Sequence, residues 1–462
     1  MKKFNRLTLA AGVLATATAF TGCNMYGKFK MPEDSALGQE YVQAKAAETD
    51  SAAFGNLQWQ QVFTDPVLVD LIYQALDNNT DLANAKLNVD IAHANLLGAK
   101  LAYLPSLALT PNGAGAKYGQ NSFSWTYQLP LAASWEIDIF GKLLNSRRGA
   151  QAAYEQSKAY NQAVRSQIIG AVANTYYGLA ALNSQLALSR NTAELWRQSV
   201  QTMRDLKEAG RVNEAAVVQS SAQYQSILGS ITDLEVQVRQ LNNTMSLLMN
   251  VMPQDWVTTE GAVLNPPAIY RESVPMRELA SRPDVRAAEQ SLAAAYYSAA
   301  GARSAFYPSI NISANGGFTN LVGGLIMNPG EWFIQLAGTL TAPLFARGQN
   351  IARLQAAKAQ QEQAMNKFEY TLMSASAEVS NALTVYAKSI EKADYLARQV
   401  DDLTKSVEIT EELLKLGTTN TTYLEVLTAQ QSLLQSQMSA IACDLTRSQA
   451  VVNLYQSLGG GR

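Results

Sequence analysis

Few residues in this sequence have side chains that could perform catalysis or bind a metal. The 462 residues include one histidine, His93, and two cysteines, Cys23 and Cys443. His93 lies in an Ala- and Asn-rich segment without a companion ligand, which favours a surface or packing role. No nucleophile elbow, phosphate loop, CxxC or HExxH motif is present, and the carboxylates are dispersed over predicted helices. We therefore expect no catalytic residue, no metal and no cofactor, and a cell-envelope hydrolase has no support.

The clearest chemical signal is at Cys23. Three basic residues within the first six positions precede an apolar stretch, 7–20, which is too short to span a bilayer as a helix. The stretch ends in Phe20-Thr21-Gly22-Cys23, which resembles the bacterial lipobox although its first residue is not the usual Leu. This resemblance implies a lipoprotein signal peptide, 1–22, and a covalent lipid such as palmitate on Cys23. An ordinary signal with a chance cysteine is the alternative.

Composition and charge limit the function further. The chain is 47% apolar and 16% charged, so it is long and apolar enough to fold. Without residues 1–22 it has 36 − 3 = 33 cations and 38 anions, or a net charge of −5, which argues against nucleic-acid binding. With Cys23 lipidated, Cys443 has no disulfide partner, and we expect it to pack between helices.

A long strand pattern runs from Phe123 to Ile139. Every odd position is apolar and most even positions are polar, so one face of the strand is apolar. A membrane-spanning strand needs about 9–11 residues, which this segment exceeds. Trp125, Tyr127 and Trp135, with Trp332 in a later strand, are suited to the aromatic girdles at membrane interfaces.

The number of such strands is too small for one chain to form a pore. Four segments qualify: 106–119, 123–139, 309–319 and 331–345. A strand in lipid must have both edges paired, and a closed barrel needs roughly eight strands or more. Several chains must therefore share one barrel. Export, a lipid anchor and membrane strands together indicate the outer membrane of a Gram-negative cell, with the rest of the chain in the periplasm.

The sequence also predicts a tandem repeat. Asp81 and Asp284 are 203 residues apart, each 24 residues before a proline, and Gly210 and Gly417 are 207 apart. Each copy is predicted to contain a helix, a strand pair, a long helix, a glycine turn and another helix. The predicted divisions are the N-terminal linker 23–58, repeat 1 at 59–250 with helices 145–209 and 213–250, the inter-repeat linker 251–280, repeat 2 at 281–458 with helices 350–416 and 420–457, and the tail 459–462.

The helices after the two glycines carry heptad patterns. Apolar residues recur with alternating steps of three and four residues from Ile227 to Leu248 and from Leu424 to Leu445, with Gln431 as the one polar residue in the second series. This 3.5-residue period predicts coiled coils, in which each helix packs on the long helix that precedes it. Ordinary amphipathic surface helices are the alternative.

Several motifs together resemble those of the TolC-like outer-membrane factor family, in its lipoprotein efflux branch. The resemblance covers about residues 23–462. The motifs are Trp59, Asp65-Pro66, Leu104-Pro105-Ser106, Trp135-Glu136-Ile137-Asp138-Ile139-Phe140-Gly141, Arg282-Pro283-Asp284-Val285, Tyr307-Pro308-Ser309-Ile310 and the terminal Asn453-Leu454-Tyr455-Gln456-Ser457-Leu458-Gly459.

The resemblance implies a mixed α and β membrane protein that functions as a homotrimer. Three chains would give a 12-stranded transmembrane β-barrel, continued by a long periplasmic α-helical coiled-coil barrel. A periplasmic adaptor protein and an inner-membrane pump of the RND or ABC type would be its partners. The implied function is the exit channel of a tripartite efflux system for drugs or other small toxic solutes. The alternatives are the channel of a type I protein secretion system and a non-conducting periplasmic scaffold.

The resemblance also implies where the channel closes. Leu424 corresponds by motif position to the family's constricting leucine, whereas Thr428 and Gln431 stand where the family often has Asp and Arg. We therefore expect a hydrophobic gate without a salt bridge, although plain coiled-coil packing is an equal alternative for Leu424. The two turns, with Gly210 and Arg211 in one and Gly417 and Thr418 in the other, would contact the adaptor. Both glycines are predicted to take left-handed conformations at helix C-termini.

Overall fold

The computed structural model describes residues 26–33, 35–46, 57–117, 119–120, 122–264, 276–322, 325–345, 347–416 and 423–461. The signal peptide, Cys23, Gly417 and Thr418 lie outside these ranges. The chain divides into two compact units. The sheet unit comprises residues up to Ser35, Asn88–Lys158 and Ala287–Glu369, and the helical unit comprises Ala36–Leu87, Ala159–Arg286 and the chain from Tyr370.

The described elements alternate between helices and strands in both halves of the chain. In order they are α1 (Ala36–Ala46), α2 (Trp59–Val62), α3 (Pro66–Asn78), α4 (Thr80–Leu101), β1 (Ser106–Leu109), β2 (Asn112–Ala116), β3 (Ser124–Ile137), α5 (Lys142–Glu208), α6 (Glu214–Leu248), α7 (Met276–Ala280), α8 (Pro283–Ser304), β4 (Ser309–Val322), β5 (Leu325–Thr341), α9 (Gln349–Lys415) and α10 (Tyr423–Ser457). Corresponding helices have equal lengths: α4 and α8 have 22 residues, α5 and α9 have 67, and α6 and α10 have 35.

Local signals explain where the helices begin and end. The Asp65 carboxylate accepts a hydrogen bond from the Val67 amide at 2.9 Å, and Pro66 occupies the first position of α3. After α5, Gly210 has a φ of 71°, and the amides of Gly210 and Arg211 donate to the carbonyls of Lys207 and Leu206, each at 2.9 Å. These two bonds form a Schellman motif, so the left-handed conformation predicted for Gly210 is observed.

The strands form one antiparallel sheet in the order β1-β3-β4-β5, with β2 also paired to β3. The predicted strand 106–119 is therefore two strands, because Pro111 lacks the amide that would continue the ladder. Since Ser106 faces Ser134 and Ser309 faces Thr341, the strand ends that join α4, α5, α8 and α9 all lie at one edge, which we call the helix edge. The opposite side, where the strands turn back, is the hairpin edge.

The helical unit has an apolar core. α3 buries Leu68, Leu71, Ile72 and Ala75 along one face, as expected for an amphipathic helix. These side chains pack with residues from α5, α6 and α10 in one cluster. Among the residues that the structure describes, the helices are all too polar or too short to serve as bilayer-crossing segments.

The two predicted linkers contain more structure than expected. In 23–58, α1 packs against α7 and buries Tyr41 completely. In 251–280, the Trp256 indole donates to the Ser246 hydroxyl at 2.9 Å, and Leu264 is buried. The sequence did not predict this order, because neither segment has a regular apolar period. A few large side chains, such as Tyr41 and Trp256, are enough to hold each segment against the rest of the helical unit.

Candidate functional site

The sheet presents its large apolar side chains to the outside. Along β3 the odd residues are exposed except for Ala133 and Ile137, which are half-buried, and cross-strand partners in β4 and β5 continue the same face. Large apolar residues that are described and exposed on this face include Leu107, Leu109, Trp125, Tyr127, Leu129, Leu131, Trp135, Ile312, Phe318, Trp332, Ile334, Leu336 and Leu340. A contiguous apolar surface of this kind is suited to hydrocarbon rather than to water.

The structure brings the four predicted interface aromatics onto this one face. Trp125 and Tyr127 lie toward the hairpin edge, whereas Trp332 is level with Leu129 near the middle of the strands. Trp125 and Trp332 are 70% and 71% exposed. Trp135 lies toward the helix edge, where its indole N–H donates to the carbonyl oxygen of Tyr103 at 2.9 Å. A ring that is exposed while its polar atom is bonded fits a membrane interface.

The opposite face of the sheet is polar. Asn315 of β4 lies between Ala132 of β3 and Gln335 of β5. Nearer the helix edge, Asn311 lies between Glu136 and Thr339. Amides, hydroxyls and a carboxylate on this face favour water, so the sheet separates an apolar side from a polar side.

The three predicted gate residues share one exposed face of α10. Leu424, Thr428 and Gln431 follow the i, i+4, i+7 spacing of a helix face, and Leu424 is 54% exposed. The Thr428 hydroxyl donates to the Leu424 carbonyl oxygen at 2.8 Å, so it is satisfied within the helix. Leu424 is thus available to contact something outside this chain.

The neighbouring face of α10 packs inward. Leu427 contacts a cluster that contains Trp196 of α5 and Ile227 of α6, and Leu434 lies partly buried against it. The predicted apolar stripe is therefore wrong at Leu424 and Gln431, both of which are exposed. The stripe from Ile227 to Leu248 in α6 is buried or half-buried throughout, as predicted.

Cys443 lies between helices, as expected from its size. It is 3% exposed, and its Sγ is 3.4 Å from the Ser389 carbonyl oxygen of α9. Burial raises the pKa of the thiol, with opposing smaller effects from nearby charges. A second bond joins the same helices, since Gln430 donates to Glu411 at 2.8 Å. These contacts agree with the predicted pairing of α10 with the long helix that precedes it.

The turn after α5 is exposed, and an ion pair stabilises it in addition to the Schellman motif at Gly210. Lys207 at the end of α5 forms an ion pair with Glu214 at the start of α6. Gly210 and Arg211 are both exposed. A role for this turn in binding an adaptor stays a prediction.

Arg282 of the predicted Arg-Pro-Asp motif is a buried connector in the helical unit. Its guanidinium donates to the Asp284 carboxylate at 2.7 and 3.0 Å, to Glu378 at 2.8 Å and to the Ser457 carbonyl oxygen at 2.8 Å. Burial lowers the pKa of Arg282, but the bonds to the two carboxylates outweigh it and the pKa is raised. The motif therefore ties α8 and α9 to the end of α10.

Tyr455 makes the contacts that hold the terminal motif, 453–459, in place. Its hydroxyl donates to the Leu57 carbonyl oxygen at 2.7 Å and accepts from the Gly461 amide at 2.9 Å. A Cβ at Gly460 would overlap the Tyr455 ring, so the chain can fold back here only with glycine. The motif secures the C-terminus to the core of the helical unit.

The N-terminal segment is fastened to the sheet unit, although the sequence predicts a linker here. Arg148 of α5 donates to the carbonyl oxygens of Tyr26 and Gly27 at 2.9 and 3.0 Å. The Phe29 amide donates to the Tyr297 hydroxyl at 3.1 Å. Residues 26–33 are thus bound along the sheet unit. Contacts across more than a hundred residues leave no local pattern that could reveal them.

The structure shows no candidate for catalysis in the described ranges. His93 is exposed and lies 5.5 Å from the Tyr154 ring, centroid to centroid. Within those ranges, no three His, Cys, Asp or Glu side chains are grouped so that they could hold a metal ion.

Comparison with known proteins agrees with this geometry. The family model for outer membrane efflux proteins matches residues 71–251 and 274–460. The chain is 27% identical over 459 residues to the probable outer membrane lipoprotein SilC of Salmonella typhimurium, covering 97% of this chain and 98% of SilC. It is 27% identical over 464 residues to the toluene efflux pump outer membrane protein TtgC of Pseudomonas putida, covering 96% and 94% of the two chains.

A solved structure supports the same assignment. The outer-membrane channel OprN superposes with a TM-score of 0.81 at 25% identity, covering 94% of this chain and 98% of that chain. The family model accounts for both halves of the sequence, and the likenesses extend over nearly its whole length. The chain belongs to the outer membrane efflux protein family, and it is an outer-membrane efflux channel that extends into the periplasm.

Proposed function

We propose that the protein is the exit channel of a tripartite efflux system, fed by a periplasmic adaptor and an inner-membrane pump of the RND or ABC type. One observation carries this proposal: the sheet has one apolar face, one polar face, and at each side an edge strand that pairs on one side only. Within the described residues, β5 pairs only with β4, and β1 and β2 pair only with β3. A sheet in lipid cannot leave backbone groups unpaired, so these edges need partners from other copies.

A homotrimer meets this requirement. The β5 edge of one copy would pair with the β1 and β2 edge of the next, and a head-to-tail arrangement closes into a ring. Three copies give twelve strands, since β1 and β2 together fill one position beside β3. The equal helix lengths in the two halves support a tandem repeat, so that twelve long helical elements would form the periplasmic tunnel.

The positions of the aromatic residues fit the thickness of a membrane. Trp125 and Trp135 are ten residues apart on β3, which corresponds to about 33 Å along the strand. A strand tilt of about 40° reduces this to about 25 Å along the bilayer normal, the height of the apolar band in membrane barrels. Trp125 would then lie at one interface and Trp135 at the other, whereas Trp332, which is level with Leu129 in the strand register, lies between them along the strands.

The cargo we propose is a small toxic solute such as a drug. TtgC is named for toluene efflux, and this chain resembles it over 96% of its length. The family consists of channels rather than enzymes, so the energy for transport would come from the pump. Expression of the gene with its neighbouring pump and adaptor genes in an efflux-deficient strain should raise resistance to organic solvents or antibiotics. Increased export of a protein without any change in resistance would favour type I secretion instead.

We also propose that Cys23 carries a covalent lipid that anchors the mature N-terminus. Acyl chains contribute about 0.8 kcal/mol per buried CH₂, so two or three of them hold a protein firmly to a membrane. Intact mass measurement of the purified protein should show a mature chain that begins at Cys23 with acyl additions. A mature chain of unmodified mass would refute the anchor without affecting the channel.

The channel assignment is tested by assembly and conduction together. Native mass spectrometry in detergent should give three copies, and the purified protein should conduct ions across a planar bilayer. Stable single copies, or a trimer that does not conduct, would contradict the proposal; the second result would favour the scaffold alternative.

The gate proposal is tested by Leu424→Ser. Three exposed leucines meeting at the axis would form a hydrophobic constriction that closes by excluding water, so a hydroxyl there should raise the single-channel conductance. Leu195→Ser is the matched control, because Leu195 is 62% exposed on α5 and is not part of the proposed gate. Equal conductance in both variants and the wild type would remove Leu424 from the gate.

A further inference from the structure

Four chain segments meet at the helix edge of the sheet. They are the segments that join the strands to the helices, 99–105, 136–149, 302–308 and 342–354, the last without residue 346, which lies outside the described residues. All four belong to the sheet unit. We call these segments together the basic collar, because of the charge described next.

The basic collar concentrates positive charge in a chain that is slightly negative. Its ionisable residues are the cations Lys100, Lys142, Arg147, Arg148, Arg303, Arg347 and Arg353 and the anions Glu136 and Asp138. Seven minus two gives +5, whereas the whole chain has a net charge of −2. The remaining residues therefore sum to −7. All of the collar's cations except Arg148 are exposed.

The cations recur in both halves of the chain. Lys100 and Arg303 are 203 residues apart, near the ends of α4 and α8. Lys142 and Arg347 are 205 residues apart, and so are Arg148 and Arg353. These offsets agree with those of the predicted repeat, so three pairs of equivalent positions carry a cation in both halves, whereas the position equivalent to Arg147 is Ala352.

In the first half of the chain, most of the collar's cations have a partner within the protein. Lys142 Nζ forms an ion pair with Glu136 at 2.8 Å, and Arg148 holds the carbonyl oxygens of Tyr26 and Gly27. The Arg147 guanidinium lies 5.5 Å from the centre of the Tyr103 ring.

In the second half, the charge has no such partner. Neither Arg347 nor Arg353 forms an ion pair with a carboxylate in the described part of the chain. Arg353 lines a cavity of about 350 Å³ that is also lined by the Lys142 side chain and by the carboxylates of Glu136 and Asp138. Neither carboxylate forms an ion pair with Arg353, and Glu136 is already paired with Lys142. These two guanidiniums are therefore available to an anion from outside the chain.

Exposed apolar side chains precede these two arginines in the same segment of the chain. Leu340, near the end of β5 on the apolar face, is 69% exposed, and the next large apolar residues, Leu344 and Phe345, are 96% and 87% exposed. Arg347 follows two residues later. The helix edge thus combines exposed apolar side chains, which could contact hydrocarbon, with two guanidinium groups that form no ion pair within the described residues.

We propose that the basic collar binds the headgroups of anionic phospholipids, with Arg347 and Arg353 as the principal phosphate-binding residues. The inference rests on the proposed function, in which the apolar face of the sheet lies in a membrane. A phospholipid combines a phosphate with acyl chains, which matches the two adjoining surfaces. The guanidinium fork pairs with phosphate oxygens in a bidentate manner, and it is less strongly hydrated than an ammonium group.

The lipid preference can be measured directly on the intact protein. Full-length protein would be placed in phosphatidylcholine nanodiscs that contain either spin-labelled phosphatidylglycerol or spin-labelled phosphatidylcholine, and the immobilised fraction would be measured by electron paramagnetic resonance. The test variant is Arg347→Gln with Arg353→Gln. The matched control is Lys392→Gln with Arg398→Gln, which removes two exposed cations from the part of α9 that belongs to the helical unit.

The wild type should prefer phosphatidylglycerol, and the test variant should lose about fivefold in relative affinity at each site per cation removed. The control should keep the preference, and added salt should weaken it in the wild type. Equal binding of the two lipids by the wild type, or an unchanged preference in the test variant, would overturn the inference. Displacement of the labelled lipid by dissolved inorganic phosphate would identify a small-anion site and would overturn it as well.

Conductance measurements distinguish a failure of the lipid site from a failure of the proposed channel function. In pure phosphatidylcholine bilayers, both double variants should conduct like the wild type, because neither removes a proposed gate residue. A conducting wild type without lipid preference would refute only the lipid site. A wild type that neither assembles nor conducts would refute the channel itself.

Discussion

The sheet unit and the helical unit place the same kinds of side chain in opposite environments. In the sheet unit, Leu336 is 75% exposed and Trp332 is 71% exposed. In the helical unit, Leu68 and Phe63 are completely buried, and charged residues cover the surface of the long helices. The exposed surface of the sheet is therefore suited to hydrocarbon, as the proposed function requires, and that of the helical unit is suited to water.

This difference changes what a substitution costs. In the helical unit, burial of apolar side chains stabilises the fold, and a buried polar group must be bonded. In the sheet unit, the strand ladders satisfy the backbone, and the apolar side chains are exposed, where lipid would take the place of a protein core under the proposed function. The same residue type should therefore tolerate different replacements in the two units.

The largest effect is expected from Phe63→Ala in the helical unit. Phe63 is fully buried and makes an edge-to-face contact with Tyr455 at 5.9 Å between centroids. Removing a buried aromatic ring costs about 3–5 kcal/mol, which should lower the temperature of thermal unfolding followed by circular dichroism. Tyr160→Ala, at a side chain 53% exposed, is the control and should change it little. Similar unfolding temperatures for the two variants would contradict the assigned core.

The next effect separates the two faces of the sheet. Leu336→Arg places a charge on the apolar face, and Gln335→Arg places the same charge on the polar face one residue away. A lipid-facing Arg near the bilayer centre costs about 2–4 kcal/mol, so the first variant should insert poorly into vesicles while the second inserts normally. In water both positions are exposed, so a difference between them can arise only from lipid. Equal insertion would mean that this face does not contact the membrane.

A smaller effect is expected at the buried charge of the helical unit. Arg282→Met leaves the Ser457 carbonyl oxygen without its donor and leaves Asp284 and Glu378 facing each other unneutralised, at a cost of about 2 kcal/mol. Both carboxylates are partly exposed, which keeps the cost below that of a fully buried pair. Arg398→Met is the control, because its pair with Asp394 is exposed and contributes little.

The pH dependence of this contribution follows from the sign of the shift. The pKa of Arg282 is raised in the folded state, so its contribution is complete below the unfolded value and is lost only as the pH rises through the folded value. The difference in unfolding temperature between wild type and Arg282→Met should therefore not shrink as the pH rises from neutral into the mildly alkaline range. A difference that vanishes there would contradict the ion pairs.

Much of the fold could be predicted because its signals are local. Asp65-Pro66 and Gly210 mark helix ends through the hydrogen bonds that they make within a few residues. The alternation along β3 reveals its two faces because side-chain direction reverses at each residue. The need for several copies stays a prediction, and it rests on the backbone alone, because a sheet in lipid cannot leave its edge strands unpaired.

The rest of the fold depends on tertiary contacts that leave no local pattern. Leu424 and Leu427 have the same type and nearly adjacent positions, and only the cluster around Trp196 decides which of them is buried. The attachment of Tyr26 to Arg148 joins residues 122 positions apart. The cations of the basic collar could have been noticed in the sequence, because several of them recur at the offset of the repeat. Only the strand register, however, shows that they lie at the same end of the sheet.

The smallest effect is expected at Cys443, where the helical unit buries a reactive group. The raised pKa of the thiol, caused first by burial, keeps it protonated at neutral pH, so both access and thiolate content should be low. If Cys23 is acylated, Cys443 is the only free thiol, and a maleimide should label the native protein at least about tenfold more slowly than the unfolded protein. Thr446→Cys in a Cys443→Ala background is the control, because position 446 is exposed on the same helix and should label rapidly. Fast labelling at both positions would mean that α9 and α10 separate in solution, since Cys443 is covered by their contact.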